Sequence, residues 1–296
     1  MNEVVIVSAV RTPIGSYLGS LSSITAPKLG AIVIKESVNR AKIKPEDVSE
    51  VIMGCVLPAG LGQAPARQAA IFAGLPDSVP CLTINKVCGS GLKAVMLAEQ
   101  AIKSGDAEIV IAGGMESMSN VPYYLDRART GYRMGNATII DGMILDGLHD
   151  VYNNFHMGNA AEICATELNI SRDEQDNFAE ESYKRALKSI ENGDFKNEIV
   201  PIEIETNKSK HIVSDDEEPG KVNFEKGRSL RPAFVKDGTV TAFNASSIND
   251  GAAALTLMSK SKSEELGLKP LAKIIAQGSF AQKPEWFTTA PAYAIE

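Results

Sequence analysis

The sequence lacks the features that mark several common protein classes. Its four cysteines, Cys55, Cys81, Cys88 and Cys164, do not have the spacing of metal ligands. No apolar run is long enough to span a membrane, and the N-terminal residues lack the basic segment and apolar core of a signal peptide. Basic residues are outnumbered by acidic ones, and the formal net charge is −7. This charge argues against nucleic acid as a partner. We therefore expect a cytoplasmic protein with reduced, buried thiols and no membrane association.

Short apolar runs alternate with helical patterns up to about residue 118. Periodicity and turn residues predict strands at 4–7, 50–56, 80–85 and 108–113, and helices at 27–41, 64–74 and 89–103. This alternation predicts an α/β fold in which helices cover a mixed or parallel sheet. A later apolar run at 251–258 is predicted to return to the same sheet, and 271–278 to form a further strand.

Residues 119–249 have a different texture, with many polar loops and one strong helical segment. That helix is predicted to begin at Ser171, where Glu174 has capping-box spacing, and to end near Gly193. The acidic residues at 215–218 are typical of a solvated surface loop. We predict a sheet domain at 1–118 and 250–269, a loop domain at 119–249, and the start of a third domain at 270–296.

Cys88 lies where a predicted strand meets a predicted helix, in the segment Asn85–Gly91 (NKVCGSG). The N-terminus of a helix offers free amide groups and a partial positive charge, and both favour a thiolate. Gly89 and Gly91 leave room for a substrate carbonyl to approach the backbone, where the Cys88 amide is placed to hold an oxyanion. The segment therefore predicts a cysteine nucleophile. The alternative is a glycine-rich turn with an incidental thiol.

The segment NKVCGSG resembles the nucleophile motif of the thiolases, and further segments agree in the family's order. These are SAVRTPIG at 8–15, GGMESMS at 113–119, HMG at 156–158 with AE at 161–162, and TVTAFNASSINDGAA at 239–253. The resemblance covers the whole chain. It implies a layered α/β sandwich with an inserted loop domain, of which the second, C-terminal sheet domain is largely missing here. It also implies homodimers or homotetramers.

The resemblance further implies acyl transfer between coenzyme A (CoA) thioesters by a cysteine nucleophile. Within the family, the chain is most similar to members that condense two acetyl-CoA to acetoacetyl-CoA or catalyse the reverse thiolysis. Cys88 would then be the acylated residue. The positions that match contacts with CoA or the acyl group are Leu148, His156, Met157, Ala242, Ser246 and Phe287.

The resemblance implies no required cofactor but does imply a potassium site. Tyr152 matches a tyrosine ligand, and the main-chain carbonyls of Ala242, Phe243 and Ala245 match the others. Such neutral oxygen ligands suit a large monovalent ion. The alternative is that Tyr152 packs its ring inside the loop domain and bonds a backbone carbonyl.

Some family features differ or are absent. Phe243 stands where many members have a small residue, and Phe287 stands where others have methionine. The family segments that carry the activating histidine, the second cysteine and an oxyanion-hole asparagine are not present, so we expect this chain to be catalytically incomplete. Three alternatives stay open: a truncated, non-catalytic CoA-binding or dimerisation module, a Cys88–His156 hydrolase dyad, and a decarboxylating ketoacyl synthase of the same fold.

Overall fold

The computed structural model of the protein describes residues 3–205 and 210–296. The strands, in chain order, are β1 Val4–Arg11, β2 Gly15–Ser16, β3 Glu50–Gly54, β4 Cys81–Ile84, β5 Ile109–Ser117, β6 Tyr123–Tyr124, β7 Ile140–Asp141, β8 His149–Asp150, β9 Phe155–His156, β10 Ile202–Glu205, β11 Lys210–Val213, β12 Asn249–Ser259 and β13 Ala272–Lys273.

The α-helices are α1 Ala26–Ala41, α2 Pro65–Phe72, α3 Ser90–Ser104, α4 Met157–Glu167, α5 Arg172–Asn192, α6 Glu217–Lys221, α7 Phe224–Arg228, α8 Lys260–Glu265 and α9 Ala290–Ile295. Short 3₁₀ helices occupy Pro45–Asp47, Met118–Asn120 and Pro284–Thr289, and a π-helical turn occupies Ile144–Leu148. No helix in the described part of the chain is both long enough and apolar enough to cross a membrane.

The chain forms two compact units. The first, which we call the sheet unit, consists of Met1–Val121, Phe195–Glu217 and Asn249–Gln277, as far as these are described. The second, which we call the loop unit, consists of Pro122–Asp194, Glu218–Ile248 and Gly278–Glu296. Residues 195–217 join the sheet unit because Arg11 on β1 bonds both Glu198 and Asp216. The domain boundaries that the sequence predicts at 118, 249 and 269 stay predictions.

The sheet unit is built on a mixed sheet with the strand order β13–β1–β12–β5–β3–β4, in which β2 also pairs with β12. Strand β3 runs parallel to β4 and β5, whereas β12 runs antiparallel to β1 and β5. Successive side chains of a strand point to opposite faces. Val51 and Met53 accordingly pack with α1 and α2, while Ile52 packs with α3. The α/β prediction, with helices over a mixed sheet, is confirmed.

The loop unit is organised around α4 and α5. Ser171 caps α5, where its hydroxyl accepts from the Glu174 amide and the Glu174 carboxylate accepts from the Ser171 amide. Gly193 ends the helix in the left-handed conformation. Both predicted ends of this helix are therefore confirmed.

The acidic segment at 215–218 is not the solvated loop that the sequence predicts. The Asp216 carboxylate accepts hydrogen bonds from the Arg11 guanidinium and from the Ile14 amide at 2.8 Å. The Glu217 carboxylate accepts from the Ser16 amide at 2.8 Å and the Ser20 amide at 3.0 Å. The prediction was wrong because the irregular backbone after β1 needs acceptors, and these two carboxylates supply them.

Candidate active site

Cys88 lies in a tight turn between β4 and α3 in the sheet unit, and it is exposed. The amides that follow Cys88 form hydrogen bonds within this turn. The Gly89 amide donates to the Lys86 carbonyl at 3.2 Å, and the Ser90 amide donates to the Val87 carbonyl at 3.0 Å. The N-terminus of α3 lies close to β3, since a Cβ on Gly54 would be 2.6 Å from Ser90 Cβ. The predicted strand–turn–helix placement of Cys88 is thus present, with the thiol open to solvent.

The other cysteines are less accessible and differ in their surroundings. Cys55 is buried, and its Sγ donates to a Glu116 carboxylate oxygen at 3.7 Å. Burial, with the nearby Glu116 charge, raises the pKa of the Cys55 thiol to about 12. Burial also raises the pKa of Cys81, against the opposing effect of Arg67. The expectation of buried thiols is therefore met by Cys55, whereas Cys81 and Cys164 are half-buried.

Alkylation should separate these thiols. We expect iodoacetamide at pH 7 to label Cys88 at least about tenfold faster than Cys55, because only the thiolate reacts and the Cys55 thiol stays protonated. Peptide mapping after short exposures measures the order of labelling. Cys81 and Cys164 should follow Cys88. Equal labelling of all four cysteines in the folded protein would contradict the assignment of Cys88 as the reactive thiol.

His156 and Met157 lie at the N-terminus of α4 in the loop unit. His156 caps this helix, with its Nδ1 accepting from the Gly158 amide at 3.0 Å, and its ring stacks on Phe234 at a centroid distance of 4.8 Å. Burial lowers the pKa of His156, and the charge of His149 adds to the effect. Because Nδ1 is an acceptor, the neutral ring carries its proton on Nε2. His156 is thus a fixed imidazole with one N–H donor left for a ligand.

The segment that holds Ala242 and Ser246 is fixed by a buried carboxylate whose role no local sequence pattern indicates. Glu162, on α4, accepts from the Thr239 amide and hydroxyl and from the Val240 amide, all at 2.8 to 3.0 Å. Glu162 is 7% exposed. One helix therefore carries His156 and Met157 at its start and anchors the segment of Ala242 and Ser246 from its middle.

Phe243 turns into the loop unit. Its ring stacks on Tyr183 at 5.8 Å between centroids and meets Phe224 edge-on at 6.5 Å. It also borders a cavity of about 190 Å³. The residues that line this cavity are Tyr183, Glu218, Lys221, Val222, Asn223, Lys226, Gly227, Leu230, Ala242 and Phe243. Ala242 and Ser246 are exposed. The cavity thus combines apolar and aromatic walls with two lysines and one carboxylate.

The remaining candidates are spread over the loop unit. Leu148 is the last residue of the π-helical turn, and Phe287 lies in a 3₁₀ helix that packs on α4. Ala245 donates its amide to the Thr241 carbonyl at 2.9 Å. Tyr152 is 81% exposed, in the turn between β8 and β9, so the alternative of a packed, buried ring is wrong. Its exposure follows from Asp150, whose carboxylate occupies the inside of this turn and accepts from the Tyr152 amide at 2.8 Å.

Comparison with known protein families shows to which family this chain belongs. Residues 4–261 match the model for the thiolase N-terminal domain. The chain belongs to the thiolase family. The resemblance that five sequence segments indicated is therefore confirmed, and so is the fold that it implied.

Relatives of this thiolase-family chain agree over nearly its full length. An acetyl-CoA acetyltransferase of Schizosaccharomyces pombe is 56% identical over 99% of this chain and 75% of its own length. The crystal structure of the Bacillus anthracis acetyl-CoA acetyltransferase superposes with a TM-score of 0.97 at 42% identity, covering 100% of this chain and 75% of that one. The Acat5 thiolase from Ascaris suum, in complex with coenzyme A, gives a TM-score of 0.93 at 42% identity, covering 99% and 75%.

Proposed function

We propose that this thiolase-family chain transfers an acetyl group between CoA thioesters through Cys88. The observation that carries the proposal is an exposed cysteine in a strand-to-helix turn, in a chain that is 56% identical to an acetyl-CoA acetyltransferase. Acetyl-CoA and acetoacetyl-CoA are the proposed substrates, in condensation or in the reverse thiolysis.

The acylation step uses residues of the sheet unit. The Cys88 thiolate attacks the carbonyl carbon of acetyl-CoA, a new carbon–sulfur bond forms to Cys88, and the bond to the CoA sulfur breaks. CoA leaves as a thiolate and takes up a proton from solvent or a base. The partial positive charge at the start of α3 favours both the attacking thiolate and the oxyanion of the tetrahedral intermediate.

The loop unit offers groups suited to CoA. We propose that Met157, Leu148, Ala242, Ser246 and Phe287 contact the pantetheine arm or the acyl group, with a donor supplied by His156 Nε2. The cavity beside Ala242 supports this proposal, because its aromatic rings suit a base and its lysines Lys221 and Lys226 suit phosphate groups, although Glu218 in the same lining opposes them. Ser246 supplies a hydroxyl that can bond a pantetheine amide.

We further propose that the 296 residues acylate Cys88 but do not complete condensation. Condensation needs a base that removes a proton from the second acetyl-CoA, and the family segments that carry the activating histidine and the second cysteine are not among these 296 residues. The alternative of a non-catalytic CoA-binding or dimerisation module is disfavoured by the exposed Cys88. Assembly into homo-oligomers and a cytoplasmic location also stay proposals.

Isotope exchange tests this proposal. Acetyl-CoA is mixed with labelled free CoA, and transfer of the acetyl group to the labelled CoA is followed, since a ping-pong acyl enzyme catalyses exchange without a second substrate. We expect exchange, with no acetoacetyl-CoA formed by this chain alone. Absence of exchange would overturn the acyl-transfer proposal. Steady formation of acetoacetyl-CoA would overturn the proposal of incomplete catalysis.

A potassium ion in the loop unit remains a separate proposal. The exposed phenol of Tyr152 and the carbonyls of Ala242, Phe243 and Ala245 are neutral oxygen donors, which suit a monovalent cation. We expect potassium to lower the KM for acetyl-CoA relative to sodium, because an ion at Tyr152 would order the turn before His156. Tyr152→Phe should remove the difference between the two salts and leave iodoacetamide labelling of Cys88 unchanged. Identical exchange kinetics in both salts would refute the site.

A further inference from the structure

The residue that precedes Cys88 has a backbone conformation that its side chain disfavours. Val87 has φ of 47°, in the left-handed region, where β-branched residues are rare and strained. The Val87 side chain is 50% exposed, so packing of this side chain contributes little to hold the conformation. Because the φ of Val87 sets the direction of the chain into Cys88, whatever holds Val87 also orients the thiol.

Hydrogen bonds from two side chains hold Val87 on both sides of its peptide. Asn85 Oδ1 accepts from the Val87 amide at 2.8 Å. The hydroxyl of Ser90, which is 3% exposed, donates to the Val87 carbonyl at 2.5 Å and accepts from the Lys86 amide at 2.8 Å. The strained residue is therefore fixed at its amide and at its carbonyl.

Asn85 is itself held by the loop that follows β3. Its Nδ2 donates to the Val56 carbonyl at 3.2 Å. The Val56 amide donates in turn to a Glu116 carboxylate oxygen at 2.7 Å, and the Leu57 amide to the other oxygen at 3.2 Å. Desolvation raises the pKa of Glu116, while the bonds from Val56 and Leu57 oppose the rise. A chain of hydrogen bonds thus runs from Glu116 on β5, through Val56 and Asn85, to Val87.

We propose that Asn85 and Glu116 are positioning residues for the nucleophile. Asn85 holds Val87 in the left-handed conformation and so aims Cys88, and Glu116 fixes Asn85 through the backbone of Val56. Neither side chain is a catalytic residue in this proposal, because each acts on Cys88 through the backbone. The predicted effect on CoA exchange rests on the proposed acyl transfer. The effect on the reactivity of the Cys88 thiol can be measured independently of that proposal.

The test combines a loss with a rescue. Asn85→Ala should lower the rate of CoA exchange at saturating acetyl-CoA about a hundredfold with little change in KM, because a displaced nucleophile loses turnover and not binding. Adding Val87→Gly to Asn85→Ala should raise the exchange rate again by at least about tenfold, since glycine adopts positive φ without strain. Glu116→Gln, which keeps one acceptor oxygen, should lower the exchange rate about tenfold. Rates are compared well below the thermal midpoint of every variant, so that loss of folding does not contribute.

Matched controls are the exposed residues Asn39 and Glu108. Asn39→Ala and Glu108→Gln should exchange CoA at the wild-type rate. Alkylation of Cys88 by iodoacetamide gives a second readout that needs no acyl chemistry. We expect Asn85→Ala to slow this alkylation about tenfold, because the thiol moves away from the N-terminus of α3. An Asn85→Ala protein that is alkylated as fast as the wild type overturns the inference, as does a loss that Val87→Gly does not reverse. A wild type that shows no exchange refutes only the acyl-transfer proposal, and the alkylation rates then decide the positioning role.

Discussion

Replacing Cys88 by serine is expected to lower CoA exchange by roughly a factor of 10⁴ or more. The reason is chemical: a cysteine thiolate is a strong nucleophile, whereas a serine hydroxyl in the same turn needs a general base to become one. The side chain at this position is exposed, so the substitution should leave the fold intact. The measurement is the exchange rate at saturating acetyl-CoA together with the thermal midpoint.

The control for this substitution is Cys81→Ser. Cys81 begins β4 and donates its thiol to the Val79 carbonyl at 3.4 Å, a bond that a serine hydroxyl can also make. We expect Cys81→Ser to keep most of the exchange activity. If Cys88→Ser retained exchange while folded, the acyl group would have to be carried elsewhere and the proposed mechanism would fail.

Gly113→Ala is expected to have the largest effect on stability. Gly113 lies in β5 between β3 and β12, and a Cβ at this position would be 1.9 Å from the Ala253 carbonyl oxygen. The obstructing atom belongs to the backbone of β12, so the two strands would have to separate to admit a methyl group. We expect a loss of about 3 kcal/mol or more in the free energy of unfolding. Denaturant unfolding of the purified variant measures it.

The neighbouring glycine provides the control. A Cβ on Gly114 would be 3.3 Å from the nearest atom, Gly91 Cα, so a small shift relieves the contact. We expect Gly114→Ala to cost less than about 1 kcal/mol. Equal stability of the two variants would contradict the close approach of Gly113 to the Ala253 carbonyl oxygen of β12.

The fold of the sheet unit was largely predictable because its signals are local. Apolar runs and their flanking glycines indicated β3, β4, β5, β12 and the helices between them, and the capping box at Ser171 indicated the start of α5. The predicted strand at 271–278 was too long, since pairing with β1 covers only Ala272–Lys273. The acidic segment was misjudged because the partners of Asp216 and Glu217 lie about two hundred positions away along the chain.

The candidate site was predictable only in part, for the same reason. Cys88 could be found from its own neighbours, since a cysteine followed by two glycines at a strand–helix junction is a local pattern. The roles of Glu116 and Glu162 could not be found this way, although both residues lie in family-like segments. Glu116 bonds amides 59 and 60 positions away, and Glu162 bonds amides 77 and 78 positions away. Only the folded chain brings those donors and acceptors together.

Peptide mapping after exposure to acetyl-CoA tests the central claim most directly. The protein is incubated with acetyl-CoA, passed through a desalting column and digested at low pH, and each cysteine peptide is examined for an added acetyl group. We predict acetylation of Cys88 alone, and its removal when free CoA is added back to the acetylated protein. An unmodified Cys88, or acetyl groups spread over Cys55, Cys81 and Cys164, would contradict the account.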